Sequence, residues 1–332
     1  MSNEYEILEE QIGGLGAQVQ ESPDETPTPG LGKAKHFGVK HDTSEHESAG
    51  SMIRTGWIQL DMEEFGERAQ FYPSDWTFYI KPATVSDIKN YSSIDEERPD
   101  QVIEIFNEMI KNNVKITSKS EGNISPLKIN SWDRLFILLK IREYTFTTGE
   151  LSFEALCDVC DEKLTYKLTS DSLSYDIPDQ EIIDKYWDRE TRTWTIDPRE
   201  FNISGPVTKF HTPTLEVDTA IFNKTLEKGM QKKKINESLL KFLPWMVKHV
   251  SLRDDKLNER FIEEATVTYT SWGMEMFGLM DEFISNITVT QKNELRTICQ
   301  NCGEEVISPI QFPNGLRGIF AVSGGNKRFG KK

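Results

Sequence analysis

An α+β fold follows from three features of this 332-residue sequence. Short alternating runs near residues 57–60 and 76–81 have the two-residue period of strands. Long apolar stripes at three- to four-residue spacing recur from residue 99 onward and have the period of helices. Two Cys-x-x-Cys pairs, at Cys157/Cys160 and Cys299/Cys302, stand 138 residues apart and bracket most of the second set of stripes. The order of elements is therefore an N-terminal strand-helix core, a pair of cysteine knuckles split in the chain, and a helical insertion between them.

Residues 1–50 carry ten acidic side chains against three lysines, with ESPDETPTPG and scattered glycines. So little apolar surface cannot offset the entropy of ordering, and the stretch is expected to be a disordered acidic tail. His36, His41 and His46 recur here every five residues. Five matches neither helix nor strand, so they read as solvated side chains and not as a metal strand.

Residues 51–150 read as the core domain. WIQL (57–60) and WTFYIK (76–81) alternate as strands, with FYPSD as the turn between them. Pro99 suits the first turn of a helix whose Val102, Phe106, Met109 and Ile110 share one stripe. Asn130 and Asp133 have the spacing of a capping box before WDRLFILLKIREY, a helix apolar around most of its circumference and so central to the core. Arg134, Arg142 and Glu143 read as structural charges flanking it.

The knuckles come next, at 151–170 and 296–322. All four cysteines lie in the two pairs, which favours metal binding over a disulfide framework. In a zinc knuckle two thiolates on a tight turn bind one ion, and a following glycine takes a left-handed backbone angle. CQNCG has that glycine; CDVC is followed by Asp161, which tolerates the same angle better than most residues. Each pair precedes a strand-like run, KLTYKL (163–168) and EVISPIQF (305–312). One structural zinc shared by Cys157, Cys160, Cys299 and Cys302 is the expected cofactor. The competing readings are a redox pair, which would sit at a helix start after a strand, and inert thiols in unrelated loops. Four cysteine ligands leave no open position for water, so such a zinc would be structural.

Residues 171–295 form the insert. Its first part, to about 217, reads as loops and short strands. AIFNKTLEKGMQ, ESLLKFLPWMVKHV, DKLNERFIEEA and SWGMEMFGLMDEFISNI then read as four helical segments with breaks at 229–236, Pro244 and Ser251. Trp272, Met276, Leu279, Met280, Phe283 and Ile287 make one stripe, and Phe242, Trp245 and Met246 another. Most of this is core by pattern, yet methionine and tryptophan together also make adaptable binding faces. Trp245, Met246, Trp272, Met276 and Met280 are therefore the candidate partner-binding residues. Residues 323–332 close the chain as a flexible basic tail.

Composition narrows the function. A formal charge of −15 and a pI near 5.0 oppose nonspecific contact with phosphate backbones and anionic membranes. No long apolar run suggests a membrane span, and MSNEYEILEE lacks a secretion signal, so a soluble cytoplasmic product is expected. GGNKRFGKK has the outline of a phosphate loop without the Ser/Thr and helix that must follow, and GGLG (13–16) has no strand before it. No serine elbow and no acid/base carboxylate pair is recognisable, so the chain reads as a non-enzyme without a small-molecule substrate.

A strand, a turn with tyrosine and proline, YIKPAT, and then DRLFILLKIREYTF with a CxxC pair about a dozen residues on, together resemble the baseplate-hub assembly proteins of T-even-like contractile-tailed bacteriophages. CQNCG fits a Cys-x-x-Cys-Gly pair that recurs near the C-terminus of that family. The resemblance covers most of residues 56–165 and about 270–320. It departs from the family at FGERAQFYPS, which replaces a Pro-Ser-Lys-Gly type turn, at Asp161, and in the long N-terminal tail. It implies an assembly chaperone or hub subunit, in the cytoplasm of the infected host or in the virion tail baseplate, with hub or tape-measure proteins as partners. The alternative is a zinc-ribbon nucleic-acid-binding or transcription-related protein, supported only by Lys327, Arg328, Lys331 and Lys332.

Overall fold

The computed structural model describes residues 56–146, 151–230, 237–248, 250, 255–312 and 315–321. The expectations for residues 1–50 and 323–332 fall outside these residues.

The first body is built on a four-stranded antiparallel meander. Strands β1 (Ile58–Leu60), β2 (Trp76–Ile80), β3 (Val114–Ser118) and β4 (Gly122–Ile124) lie in that spatial order. The alternating Trp76, Phe78 and Ile80 are buried, as their two-residue period requires. The β1–β2 link is not a simple turn. It holds two short 3-10 turns over Met62–Phe71, capped by Asp61 with Glu64 as its reciprocal partner, and Gly66 turns the chain between them in the left-handed region. GERAQ carries no periodic apolar signal, so the sequence does not announce this element.

Helix α1 (Val85–Tyr91) is capped by a Thr84/Asp87 box, and α2 (Pro99–Asn113) has its proline in the first turn as expected. Helix α3 (Arg134–Thr145) is buried at every position from Arg134 to Arg142. It packs on β2 and α2 at the centre of the largest core, which also takes in Phe65, Tyr72, Phe106 and Phe320. The expected Asn130/Asp133 capping box is absent: neither side chain caps the helix. Asp133 is drawn instead to Tyr72 and Arg68, and Asn130 to Arg192.

Strands β5 (Ser152–Leu156) and β6 (Lys163–Lys167) form the first knuckle hairpin. The insert then leaves through β7 (Tyr175–Asp176), which pairs antiparallel with β11 (Thr290–Gln291) where the insert returns. The loop-and-strand part also contains an unexpected short helix, α4 (Gln180–Tyr186). Strands β8 (Trp187–Asp188), β9 (Thr193–Ile196) and β10 (Thr208–His211) make a second sheet in the order β10-β9-β8. Four helices follow as expected: α5 (Leu215–Met230), α6 (Glu237–Met246), α7 (Asp255–Thr270) and α8 (Met274–Ile287). Pro244 lies inside α6 and does not break it: the helix loses the bond to the Leu240 carbonyl but continues to Met246, two residues further on. Strands β12 (Glu294–Ile298) and β13 (Glu305–Pro309) form the second knuckle hairpin, and a 3-10 segment at Gly315–Phe320 seats Phe320 against Tyr91.

The insert has its own core. Trp194, Phe210, Phe242, Phe283 and Ile287 cluster there with Trp245, Met276 and Met280. This corrects the candidate partner-binding set. Trp245, Met276 and Met280 are buried, and only Met246 and Trp272 keep part of their surface in water. The α8 stripe faces the second sheet and α4, where Phe283 meets the rings of Phe210 and Tyr186, so its methionines fill packing gaps.

Candidate metal centre

The two hairpins are copies of one local design, offset by 142 positions. In β5–β6 the register runs from Ser152↔Lys167 to Leu156↔Lys163, and in β12–β13 from Glu294↔Pro309 to Ile298↔Glu305. Cys157 and Cys299 each follow their first strand, and their backbone N–H groups donate to the carbonyls of Glu162 and Glu304, both at 2.9 Å. Their own carbonyls accept from Asp161 and Gly303, again both at 2.9 Å. The chain must turn left-handed to make these contacts, and it does so at Asp161 (φ 56°) and Gly303 (φ 77°). Each cysteine pair thus sits in the turn of a hairpin, with a strand before it as well as the expected strand after it.

These loops bring all four sulfurs together. The ligand atoms of Cys157, Cys160, Cys299 and Cys302 lie within 4.8 Å of one another. The cross-hairpin pairs Cys157–Cys302 and Cys160–Cys299 are both at 3.6 Å, and no disulfide joins them. A tetrahedral ion with metal–sulfur bonds of about 2.3 Å has sulfur–sulfur edges of about 3.8 Å, so the four thiols fit such an ion. Cys157 and Cys299 are buried in the main core among Phe153, Leu164, Leu295 and Val306, whereas Cys160 and Cys302 face outward.

The site is also prepared electrostatically. The Asn301 side chain, from the opposite knuckle, and the Glu162 N–H both bond the Cys160 sulfur and bring its pKa down to about 7. The Glu304 N–H pulls Cys302 the same way, but burial and the three neighbouring sulfurs outweigh it and push Cys302 up to about 12. Four thiols this close cannot all ionise against one another; a divalent cation removes that repulsion and deprotonates them. The role of Asn301 is a structural finding, because nothing in CQNCG marks that residue as reaching across to the other pair.

No family model, no curated protein and no solved structure matches this chain. Evidence of its role therefore lies in its own residues and their geometry.

A second constellation joins the insert to the first body. Arg68 forms a buried ion pair with Asp133 and lies over the Phe136 ring at 4.7 Å and the Tyr175 ring at 3.7 Å. Tyr72 donates to Asp133 at 2.7 Å, and its hydroxyl accepts from the Asn130 N–H at 3.1 Å. Arg192, from the β8–β9 turn of the insert, donates to the Asn130 side chain and to the Lys128 carbonyl, and lies over the Trp76 ring at 4.9 Å. Burial lowers the Arg192 pKa to about 10 and raises that of Tyr72 to about 12. Asp133 and Asn130, which have the spacing of caps in the sequence, are the hub of this network. Among the described residues no helix is long and apolar enough to cross a membrane.

Proposed function

We propose that this chain is a bacteriophage tail baseplate-hub protein, an assembly chaperone or structural hub subunit, which acts by binding other proteins and holds its split ribbon with one structural zinc ion. The observation that carries the metal half is the convergence of Cys157, Cys160, Cys299 and Cys302 within 4.8 Å, from two hairpins 142 positions apart. A four-sulfur tetrahedral set suits zinc or iron, and all four positions are filled by protein, so the ion serves as a clasp between the hairpins and leaves no place for a reacting water. On this reading the chain is not an enzyme. The phage half is supported by the resemblance of residues 56–165 and 270–320, with hub or tape-measure proteins as the partners it implies.

Elemental analysis of the purified chain should give one zinc per molecule, colourless in solution, and any one Cys→Ser change should release it. A red, visibly absorbing protein would assign iron instead, and protein prepared without chelator under reducing conditions that holds no metal would end the metal reading. Co-purification with a hub or tape-measure protein of the same phage, and mass spectrometry of finished virions, test the phage half. A salt-sensitive shift of duplex or single-stranded DNA with no such co-purification would favour the nucleic-acid alternative.

A further inference from the structure

The two knuckle hairpins differ from the rest of the surface in a way that folding alone does not require. Leu156 is 56 % exposed, Val159 67 %, Ile298 62 % and Ile307 46 %. These are four of the nine large apolar side chains left exposed among the described residues, gathered on two short hairpins. Leu156 and Ile298 hold the same place in the two copies, the residue before the first cysteine. Scattered exposed apolar residues need no explanation, but a concentration of them marks a contact surface.

The charge around them has one sign. The loops CDVCDE (157–162) and CQNCGE (299–304) contain Asp158, Asp161, Glu162 and Glu304 and no lysine, arginine or histidine. The nearest cations are already paired, Lys163 with Glu154 and Arg296 with Glu294 and Glu305. One divalent ion on four thiolates would add a formal charge of −2 at the centre of this face, a step that rests on the metal reading above. The face therefore fits a cationic segment that also carries an apolar side chain.

The chain supplies one. SGGNKRFGKK (323–332) holds Lys327, Arg328, Lys331 and Lys332 around Phe329, with no acidic residue, in a protein whose formal charge is −15. It begins three residues past Phe320, which is buried in the same core as Cys157 and Cys299. The eight residues from Val322 to Phe329 reach up to about 27 Å when extended. A five-residue hairpin strand is only about 17 Å long. We propose that the basic C-terminal segment docks on the paired knuckle loops of its own chain, with its cations on the acidic rim and Phe329 against the exposed apolar side chains, so that a partner using this face must displace it.

Zero-length carbodiimide coupling of the full-length, zinc-loaded chain tests this. Mass spectrometry should find Lys327, Lys331 or Lys332 joined to Asp158, Asp161, Glu162 or Glu304, with yield falling at high salt. In the full-length variant Lys327→Glu/Arg328→Glu/Lys331→Glu/Lys332→Glu those links should vanish, and the methyl NMR signals of Leu156, Val159 and Ile298 should shift. A synthetic 323–332 peptide added to that variant should restore the signals. Links from the segment to the acidic residues of 1–50, links formed only between differently labelled chains, or unmoved tip methyls would each overturn the proposal. Zinc is measured in the same samples: a chain with one zinc and no tip contact sinks this inference alone, and a chain without zinc sinks the metal reading.

Discussion

Asp161 and Gly303 hold one position in the two knuckles, and both are left-handed. Glycine adopts that conformation freely, whereas an aspartate carries a steric cost that its short polar side chain only partly offsets. Replacing Asp161→Gly should therefore stabilise the metal-loaded protein by up to about 1 kcal/mol, read from denaturant titration with zinc held constant. A β-branched residue at either position should weaken the loop and speed zinc transfer to a chelator. Glu216 makes a different residue-level statement. It is buried in the first turn of α5, and burial raises its pKa against the pull of Lys128 and Arg192. A carboxyl raised in the folded state contributes stability that is fully present below its unfolded value and is lost as pH rises through the folded one. Glu216→Gln should thus match the parent at low pH and exceed it in melting temperature at neutral pH. Equal melting curves at both pH values would show that the raised pKa does not exist.

Elements are legible in the sequence where periodicity is long and unbroken, and not where contacts between elements decide. Helices α2, α3 and α5–α8 stand where their apolar stripes put them, and the knuckles converge as four thiols in two matched pairs suggest. The Met62–Phe71 turns, α4 and the short strands β7 and β8 have no such signal, since each is stabilised by what it packs on. Phe71 shows this. It sits at the end of a polar-looking turn in the first body, yet its ring is buried in the core of the insert beside Trp132, Trp187 and Trp194. The donors around it cross the same junction: Trp187 Nε1 donates to the Gln70 carbonyl at 3.1 Å and Arg189 to the Tyr72 carbonyl at 2.7 Å. Phe71→Ala should cost about 3–5 kcal/mol, as large-to-small changes in a packed core do. Near-ultraviolet circular dichroism should report loss of the tryptophan packing; a variant with unchanged spectrum and stability would show that the junction does not depend on this ring. The candidate site is legible in its ligands only. Asn301, Arg192 and the tertiary roles of Asn130 and Asp133 depend on side chains reaching across more than 60 positions or between the two halves of the chain, and no local pattern encodes that.

For the whole molecule the question is what holds the insert in place. Its two ends meet in the β7–β11 ladder, next to the open ends of the knuckle hairpins, whose cysteine turns lie at the opposite ends of their five-residue strands. The insert is also fixed by contacts that do not involve the cysteines. Asn130 bridges to Thr214, the Leu215 N–H donates to the Ile129 carbonyl at 3.0 Å, and the Arg192–Asn130 and Phe71 contacts span the same boundary. Misdocking of the insert would leave these buried charges unpaired in a dry interior, which disfavours other arrangements. Removal of the ion should therefore act locally at first. Structural zinc in small peptides contributes about 10–16 kcal/mol at neutral pH, so the hairpins should open without it. With a chelator added at a temperature where the loaded protein is fully folded, hydrogen exchange should accelerate at residues 151–168 and 293–310 while β9, β10 and α8 keep their protection. If the insert loses protection together with the hairpins, the ion and not the polar junction sets its position, and zinc would be the organising contact of the entire chain.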